Sequence, residues 1–240
     1  MKLKNRNTTV TDTTELTEMI PAQSLEQIRQ KSHGFITLMS YYKCAMMEVE
    51  TKLNVLNEEF SLRFDRNPIN SIQSRLKSPV SIEEKLASKN LPMTLQTIEK
   101  NLNDIAGVRV ICSFLDDIYL LADCLLGQDD ITLIEQKDYI AHPKPNGYRS
   151  LHLIVQIPIY LQAGKRNMRV EIQLRTIAMD CWASLEHQLR YKKDVTDTKQ
   201  INNELKHCAL LSAELDGRMD KLRKQIIDDS DIERRSEIGL

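Results

Sequence analysis

The stretch Arg169-Val-Glu-Ile-Gln-Leu-Arg175 alternates without a break, with Val170, Ile172 and Leu174 on one side and Arg169, Glu171, Gln173 and Arg175 on the other. A side-chain period of two belongs to a strand and gives it one apolar and one polar face. The segment Met168–Thr176 is therefore predicted as a strand whose apolar side enters a core. Its polar side has two readings. Antiparallel sheets commonly wet one face; alternatively, this face is the floor of a site. A carboxylate between two guanidinium groups stays ionised and held, which suits a metal ligand. The preceding segment, Ser150–Ile157, also places polar groups at alternate positions, Ser150, His152 and Gln156. Two adjacent strands sharing a polar face favour the site floor.

The rest of the chain is organised around this strand. Residues 1–23 lack periodicity and are expected to form a flexible tail. Ser24 with Gln27 reads as a capping box. It opens a long helix over 24–60 with an apolar stripe through Ile28, Leu38, Tyr42, Val49, Leu53 and Phe60. Residues 61–80 read as irregular, broken by Asn67-Pro68 and Ser78-Pro79. Ser81 with Glu84 suggests a second capping box and a short helix to about Lys89. A strand at Val108–Phe114 precedes a helix capped by Asp116 and ended at Leu126 by Gly127, then a strand at Ile131–Gln136. A Pro143/Pro145/Gly147 loop leads to Ser150–Ile157, and Gly164 marks the turn to the alternating strand. A helix follows through Trp182 to about Tyr191. The last helix is expected over 199–228, with a charged, frayed tail over 229–240. The fold class is α/β (α+β): a mixed sheet of about four to five strands flanked by helices, with long first and last helices, in one domain over 24–228.

Composition removes several functions. The seven glycines among 240 residues never fall within ten residues of each other. A Walker loop needs two glycines five apart, and a dinucleotide fingerprint needs three within six residues. Neither fits, so any nucleotide phosphates must be gripped by side chains. A net charge of −1 supplies no global field for nucleic acid. The five cysteines suit neither a disulfide framework nor a zinc site and read as buried, reduced thiols in a cytosolic protein. No apolar run approaches the ~18 residues of a membrane span.

Two further regions carry candidate chemistry. In the loop His142–Ser150, Tyr148 offers a stacking platform for a base and Lys144 and Arg149 offer cations for phosphates; the alternative is a tyrosine packed on its own loop. Arg75, Lys77, Lys85 and Lys89 surround the Ser81 box. Cations at a helix N-terminus oppose the macrodipole unless an anion docks there, although an ordinary charged surface gives the same pattern. Asp104, just before a strand, reads by itself as a cap.

Taken together, these segments resemble the synthetase domain of the RelA/SpoT family of alarmone synthetases over about residues 40–195. The likeness is carried by Arg75-Leu-Lys77-Ser-Pro-Val-Ser81 with Lys85, Asp104-Ile-Ala-Gly-Val-Arg109, Lys137-Asp-Tyr139-Ile140, Pro143-Lys144-Pro-Asn146-Gly147-Tyr148-Arg149-Ser150-Leu-His152, and Glu171-Ile-Gln173-Leu-Arg175-Thr176 with Trp182-Ala183 and Glu186-His187. The length resembles that of the stand-alone small synthetases, and the sequence that of the RelP-type branch.

The resemblance implies a nucleotidyltransferase-like fold, with catalytic blocks over about 75–192. It also implies transfer of pyrophosphate from ATP to the 3′-hydroxyl of GDP or GTP, giving ppGpp or pppGpp plus AMP in stringent-response signalling. By position, Asp104 and Glu171 would hold Mg²⁺, and Glu171 would orient or deprotonate the attacking hydroxyl. Arg75 and Arg109 would sandwich adenine, while Lys77, Ser81 and Lys85 would bind ATP phosphates. Tyr148 would stack on guanine and Lys144 and Arg149 would serve acceptor phosphates, with Asn146, His152, Gln173 and Arg175 as site walls. None of the five histidines is followed by Asp, so the family's hydrolase motif is missing and synthesis without hydrolysis is expected. The family also implies a cytoplasmic homotetramer assembled through the terminal helices. Two alternatives share the fold: a non-catalytic nucleotide- or RNA-binding regulator, and a nucleotidyltransferase that releases pyrophosphate.

Overall fold

The computed structural model describes the backbone of residues 22–64, 66–191 and 198–238, and the side chains of 32–63, 66–189 and 200–226. Residues 1–21 of the expected tail, and the Ser24 and Gln27 side chains of its capping box, lie outside these ranges. The chain divides into two units, Met1–Thr37 and Leu38–Leu240. The first is described as helical backbone from Ala22 onward; the second holds the sheet and everything that follows.

The elements are α1 (Ala22–Phe64), β1 (Ile69–Leu76), α2 (Pro79–Ser88), α3 (Leu95–Asn101), β2 (Ala106–Cys112), α4 (Leu115–Leu126), β3 (Thr132–Asp138), β4 (Leu151–Leu161), β5 (Gly164–Thr176), α5 (Ile177–Tyr191) and α6 (Thr198–Ile238). The five strands form one mixed sheet in the order β1-β2-β5-β4-β3. β2 and β5 run parallel and the other pairs antiparallel.

The alternation of β5 behaves as its sequence requires. Val170, Ile172 and Leu174 are fully buried, and Glu171 and Gln173 on the opposite face are half-buried. Val108 and Val110 of β2 and Leu153, Val155 and Ile157 of β4 share the buried face. α4 packs on β2 and β5, burying Ile118, Leu121 and Leu125. Each such side chain contributes about 1.5–3 kcal/mol on leaving water, so the polar face can carry charge without endangering the fold. Val49 and Leu53 complete the α1 stripe within the second unit.

Several local expectations are corrected. Of the five cysteines expected to be buried, only Cys112 is; Cys44 and Cys124 are partly covered and Cys181 and Cys208 are exposed. The stretch 61–80 is not irregular throughout: Ile69–Leu76 forms β1 on the sheet edge. Its apolar residues, Ile69, Ile72 and Leu76, are three and four apart, so pairing with β2 rather than patterning makes it a strand. α3 is a further helix, capped by Thr94, which accepts the Thr97 N–H at 3.1 Å. α2 is capped by Ser78, not Ser81, with Pro79 in its first turn. At α4 the working carboxylate is Asp117, not Asp116. It accepts the Phe114 N–H at 3.2 Å and pairs with Arg66 at 2.6 Å. α6 continues past 228, and backbone read from sequence as a frayed tail is helical to Ile238.

Candidate active site

The register of the sheet assembles the polar face. Gln73 of β1 stands opposite Arg109 of β2, Arg109 opposite Gln173 of β5, Gln173 opposite His152 of β4, and His152 opposite Lys137 of β3. One row of polar residues thus crosses all five strands. In the next row Gly107 separates Arg75 from Glu171, so no side chain stands between them. A cleft of about 130 Å³ opens there, lined by Gln73, Arg75, Asp104, Arg109, Glu171 and Gln173.

At one end of the cleft, Asp104 Oδ2 accepts Lys77 Nζ at 2.7 Å and Lys85 Nζ at 2.5 Å. Lys77 follows β1 and Lys85 comes from α2, so the second and third segments of the unit converge on one oxygen. Burial would push this carboxyl up, but the two lysine hydrogen bonds outweigh it and hold Asp104 below the ordinary aspartate range. The other oxygen, Oδ1, is buried and has no hydrogen-bond partner. The reading of Asp104 as a simple cap is thereby set aside.

Glu171 Oε1 lies 3.1 Å from His152 Nδ1, and its Oε2 accepts Gln173 Nε2 at 3.1 Å. Burial raises this carboxyl too, and the His152 and Gln173 interactions reverse that and lower it, against opposition from the Asp104 charge. The chain of contacts continues: His152 Nε2 to the Tyr148 hydroxyl at 2.7 Å, Arg175 Nη2 to the same hydroxyl at 2.7 Å, and Arg175 Nη1 to Asp180 at 3.1 Å. Asp180 also pairs with Arg109 at 3.5 Å. Burial and the neighbouring Arg175 lower the Arg109 guanidinium, which leaves it charged.

The Tyr148 loop is fixed from several sides. Tyr148 N–H donates to Asn146 Oδ1 at 3.2 Å, and Asn146 Nδ2 donates to Glu186 at 3.2 Å. The Tyr148 ring packs against the cluster of Trp182, Ala183, Leu205 and Ala209. Lys144 Nζ sits over both the Tyr139 and Tyr148 rings, at 4.5 and 4.7 Å.

The expected residues are not all in one place. Lys144 and Arg149 line a separate cavity of about 320 Å³ against Lys206 and Ala209 of α6. Ser81 takes part in the α2 cap: Ser78 Oγ accepts its N–H at 3.2 Å, so that donor is already used. Lys89 lies at the far end of α2 and donates to the Asn101 carbonyl at 3.3 Å. Asp180 and Asp216 are partners that sequence reasoning missed, and Tyr139, named there only within a family block, was given no role. Only the position of Asp180 in the first turn of α5 hinted at a role.

No group of three His, Cys, Asp or Glu side chains forms a metal cluster among the described residues. Two carboxylates on the cleft, one with a buried unpartnered oxygen, fit Mg²⁺, which takes one or two carboxylates and fills its shell with water and substrate oxygens.

A cleft with two carboxyls held below their ordinary range among Lys and Arg side chains has the character of a phosphoryl-transfer site. Residues 74–196 match the region found in RelA/SpoT proteins, and the chain belongs to that family. It is 43% identical over 185 residues to GTP pyrophosphokinase YwaC of Bacillus subtilis, covering 77% of this chain and 88% of that one. The crystal structure of small alarmone synthetase 2 from Bacillus subtilis matches with a TM-score of 0.72 at 41% identity, covering 80% of this chain and 98% of that one. Small alarmone synthetase 1 from the same organism, bound to its product pppGpp, matches with a TM-score of 0.70 at 36% identity, covering 77% and 94%.

Proposed function

We propose that this chain is a GTP pyrophosphokinase, transferring the pyrophosphate of ATP to the 3′-hydroxyl of GDP or GTP with release of AMP. The observation that carries the reading is the pairing across one cleft of Asp104, holding two lysines and a free buried oxygen, with Glu171, held ionised by His152 and Gln173.

Transfer of this kind depends on in-line positioning and charge neutralisation more than on covalent catalysis. Arg75 and Arg109 hold adenine between them, each contact worth about 0.5–2 kcal/mol. Lys77 and Lys85, with Ser81, take the ATP phosphates. Tyr148 stacks on guanine, and Lys144 and Arg149 serve the acceptor phosphates. Glu171 orients the 3′-hydroxyl and receives its proton as the oxygen attacks the β-phosphorus and the bond to AMP breaks. Asp104 and Glu171 would hold Mg²⁺, which would supply charge neutralisation on the phosphate oxygens. The reading implies a cytoplasmic role in stress signalling; among the described residues, no helix is long and apolar enough to cross a membrane. Half-exposed Leu211, Leu215, Met219 and Leu222 on α6 agree with assembly into a homotetramer through the terminal helices.

The test is direct. Protein, Mg²⁺, ATP and GDP are incubated and the nucleotides separated. AMP and a 3′-pyrophosphorylated guanosine are expected. Pyrophosphate release without AMP would indicate a nucleotidyltransferase, and unchanged substrates a binding protein.

A further inference from the structure

The helix α6 lies entirely beyond the residues that match the family, 74–196. Yet it reaches the edge of the site through one side chain. Asp216 Oδ2 accepts the Thr176 hydroxyl at 2.9 Å and lies 3.7 Å from Arg149 Nη1. Both members of the ion pair are well covered, with 14% of Arg149 and 10% of Asp216 exposed. Arg149 Nη1 makes no hydrogen bond, so the Asp216 charge is what the structure sets against it.

The two contacts bind three things together. Thr176 ends β5, five residues after Glu171. Its hydroxyl also accepts the Met179 N–H at 3.1 Å, capping α5. Arg149 follows Tyr148 directly in the chain. The same stretch of α6 touches the loop again at Gly147, where an added Cβ would stand 2.5 Å from Ala209 Cβ. α6 therefore forms the outer wall of the tyrosine loop. By contrast, Asp104, Lys77, Lys85 and Arg75 make no hydrogen bond or ion pair with Asp216 among the described residues.

We propose that Asp216 is a positioning residue for the acceptor nucleotide: by pairing with Arg149 and Thr176 it fixes the Tyr148 loop to the end of β5. A guanidinium held by a carboxylate keeps one orientation; freed, it samples rotamers and takes the neighbouring loop with it. The consequence is specific to one substrate. Loss of Asp216 weakens the acceptor and leaves ATP alone, because the ATP half of the cleft is built from other elements.

This inference rests on the pyrophosphokinase reading, and its test separates the two. Asp216→Asn is expected to raise the KM for GDP about five- to tenfold, with the KM for ATP and kcat little changed. Asp216→Glu restores the charge and most of the affinity. In a double-mutant cycle, Arg149→Ala combined with Asp216→Asn costs no more than Arg149→Ala alone, within about twofold. Amide hydrogen exchange over residues 144–150 should speed up in Asp216→Asn while exchange in β2 stays the same. Equal changes in the two KM values, additive losses in the cycle, or unchanged loop exchange each overturn the assignment. A wild-type protein that produces no AMP defeats the functional reading instead, and the exchange measurement still decides whether Asp216 anchors the loop.

Discussion

Lys85 and Asp104 meet at 2.5 Å on the same carboxylate oxygen that accepts Lys77 at 2.7 Å. Two ammonium groups on one oxygen are more positive charge than one carboxylate can balance. The surplus is what an incoming polyphosphate needs, and the buried Oδ1 without a partner is what a divalent cation needs. Asp104→Asn keeps the shape and removes the charge. Turnover is expected to fall by about 10³-fold or more, since several kcal/mol of transition-state stabilisation are at stake. Glu171→Gln should match it. Product analysis with circular dichroism on the same samples checks both claims; turnover near wild type in either variant removes the assignment of these carboxylates.

The same two carboxyls set a pH dependence of stability. Both titrate lower in the folded chain than in the unfolded one, where aspartate and glutamate lie near about 3.9 and 4.3. The folded state thus holds fewer protons in this range. Its stabilisation from these groups is complete above the unfolded values and is lost as pH falls through the folded ones. Urea unfolding measured between about pH 5 and pH 3 should show a shallower decline for Asp104→Asn than for wild type. Parallel declines would mean that the lysine pair does not depress the carboxyl.

Tyr148 is tied by its hydroxyl to His152 and Arg175, both at 2.7 Å, so its ring cannot rotate freely. A fixed ring makes a stacking platform at low entropic cost. Tyr148→Phe keeps the ring but loses the tether, and Tyr148→Ala loses both. The KM for GDP should rise about tenfold or more in the alanine variant, given about 1–3 kcal/mol per stacked base, and less in the phenylalanine variant. An equal rise in the KM for ATP would place Tyr148 outside the acceptor subsite.

The sequence made β5 legible because alternation is a local property: Val170, Ile172 and Leu174 had to be buried wherever the strand lay. The long helices were legible for the same reason, as stripes of apolar residues. β1 was not, because Ile69–Leu76 owes its conformation to hydrogen bonds with β2. The two carboxylates and the arginine pair could be named from the resemblance to the RelA/SpoT synthetase blocks, but their convergence depends on the parallel pairing of β2 with β5, which no single segment encodes. Asp216 stayed invisible because an aspartate on a helix gives no sign of the arginine it faces, and Asp180 showed only as an acidic residue in the first turn of α5. The expected cluster around Ser81 came apart at Lys89: the sequence placed it at the end of the short helix but did not show that it donates to the Asn101 carbonyl while Lys85 donates to Asp104.

Gly147 and Gly164 separate two costs of adding a methyl group. Both have positive φ, +92° and +117°, a region in which a side chain costs about 1–2 kcal/mol. At Gly164, the first residue of β5 after the turn from β4, nothing lies within 4 Å of an added Cβ, so Gly164→Ala should lose only that backbone cost and leave activity intact. At Gly147 the new methyl would fall 2.5 Å from Ala209 Cβ, adding about 1–3 kcal/mol of overpacking unless the loop moves off α6. Gly147→Ala should therefore lower Tm by more than Gly164→Ala, with about 2–4 °C expected per kcal/mol for a chain of this size. It should also raise the KM for GDP, because the displaced loop carries Tyr148. Adding Ala209→Gly to Gly147→Ala removes the clash but not the φ strain, and should recover the GDP affinity and only part of the Tm. If the double variant recovers neither, the loop is not held by its packing against α6.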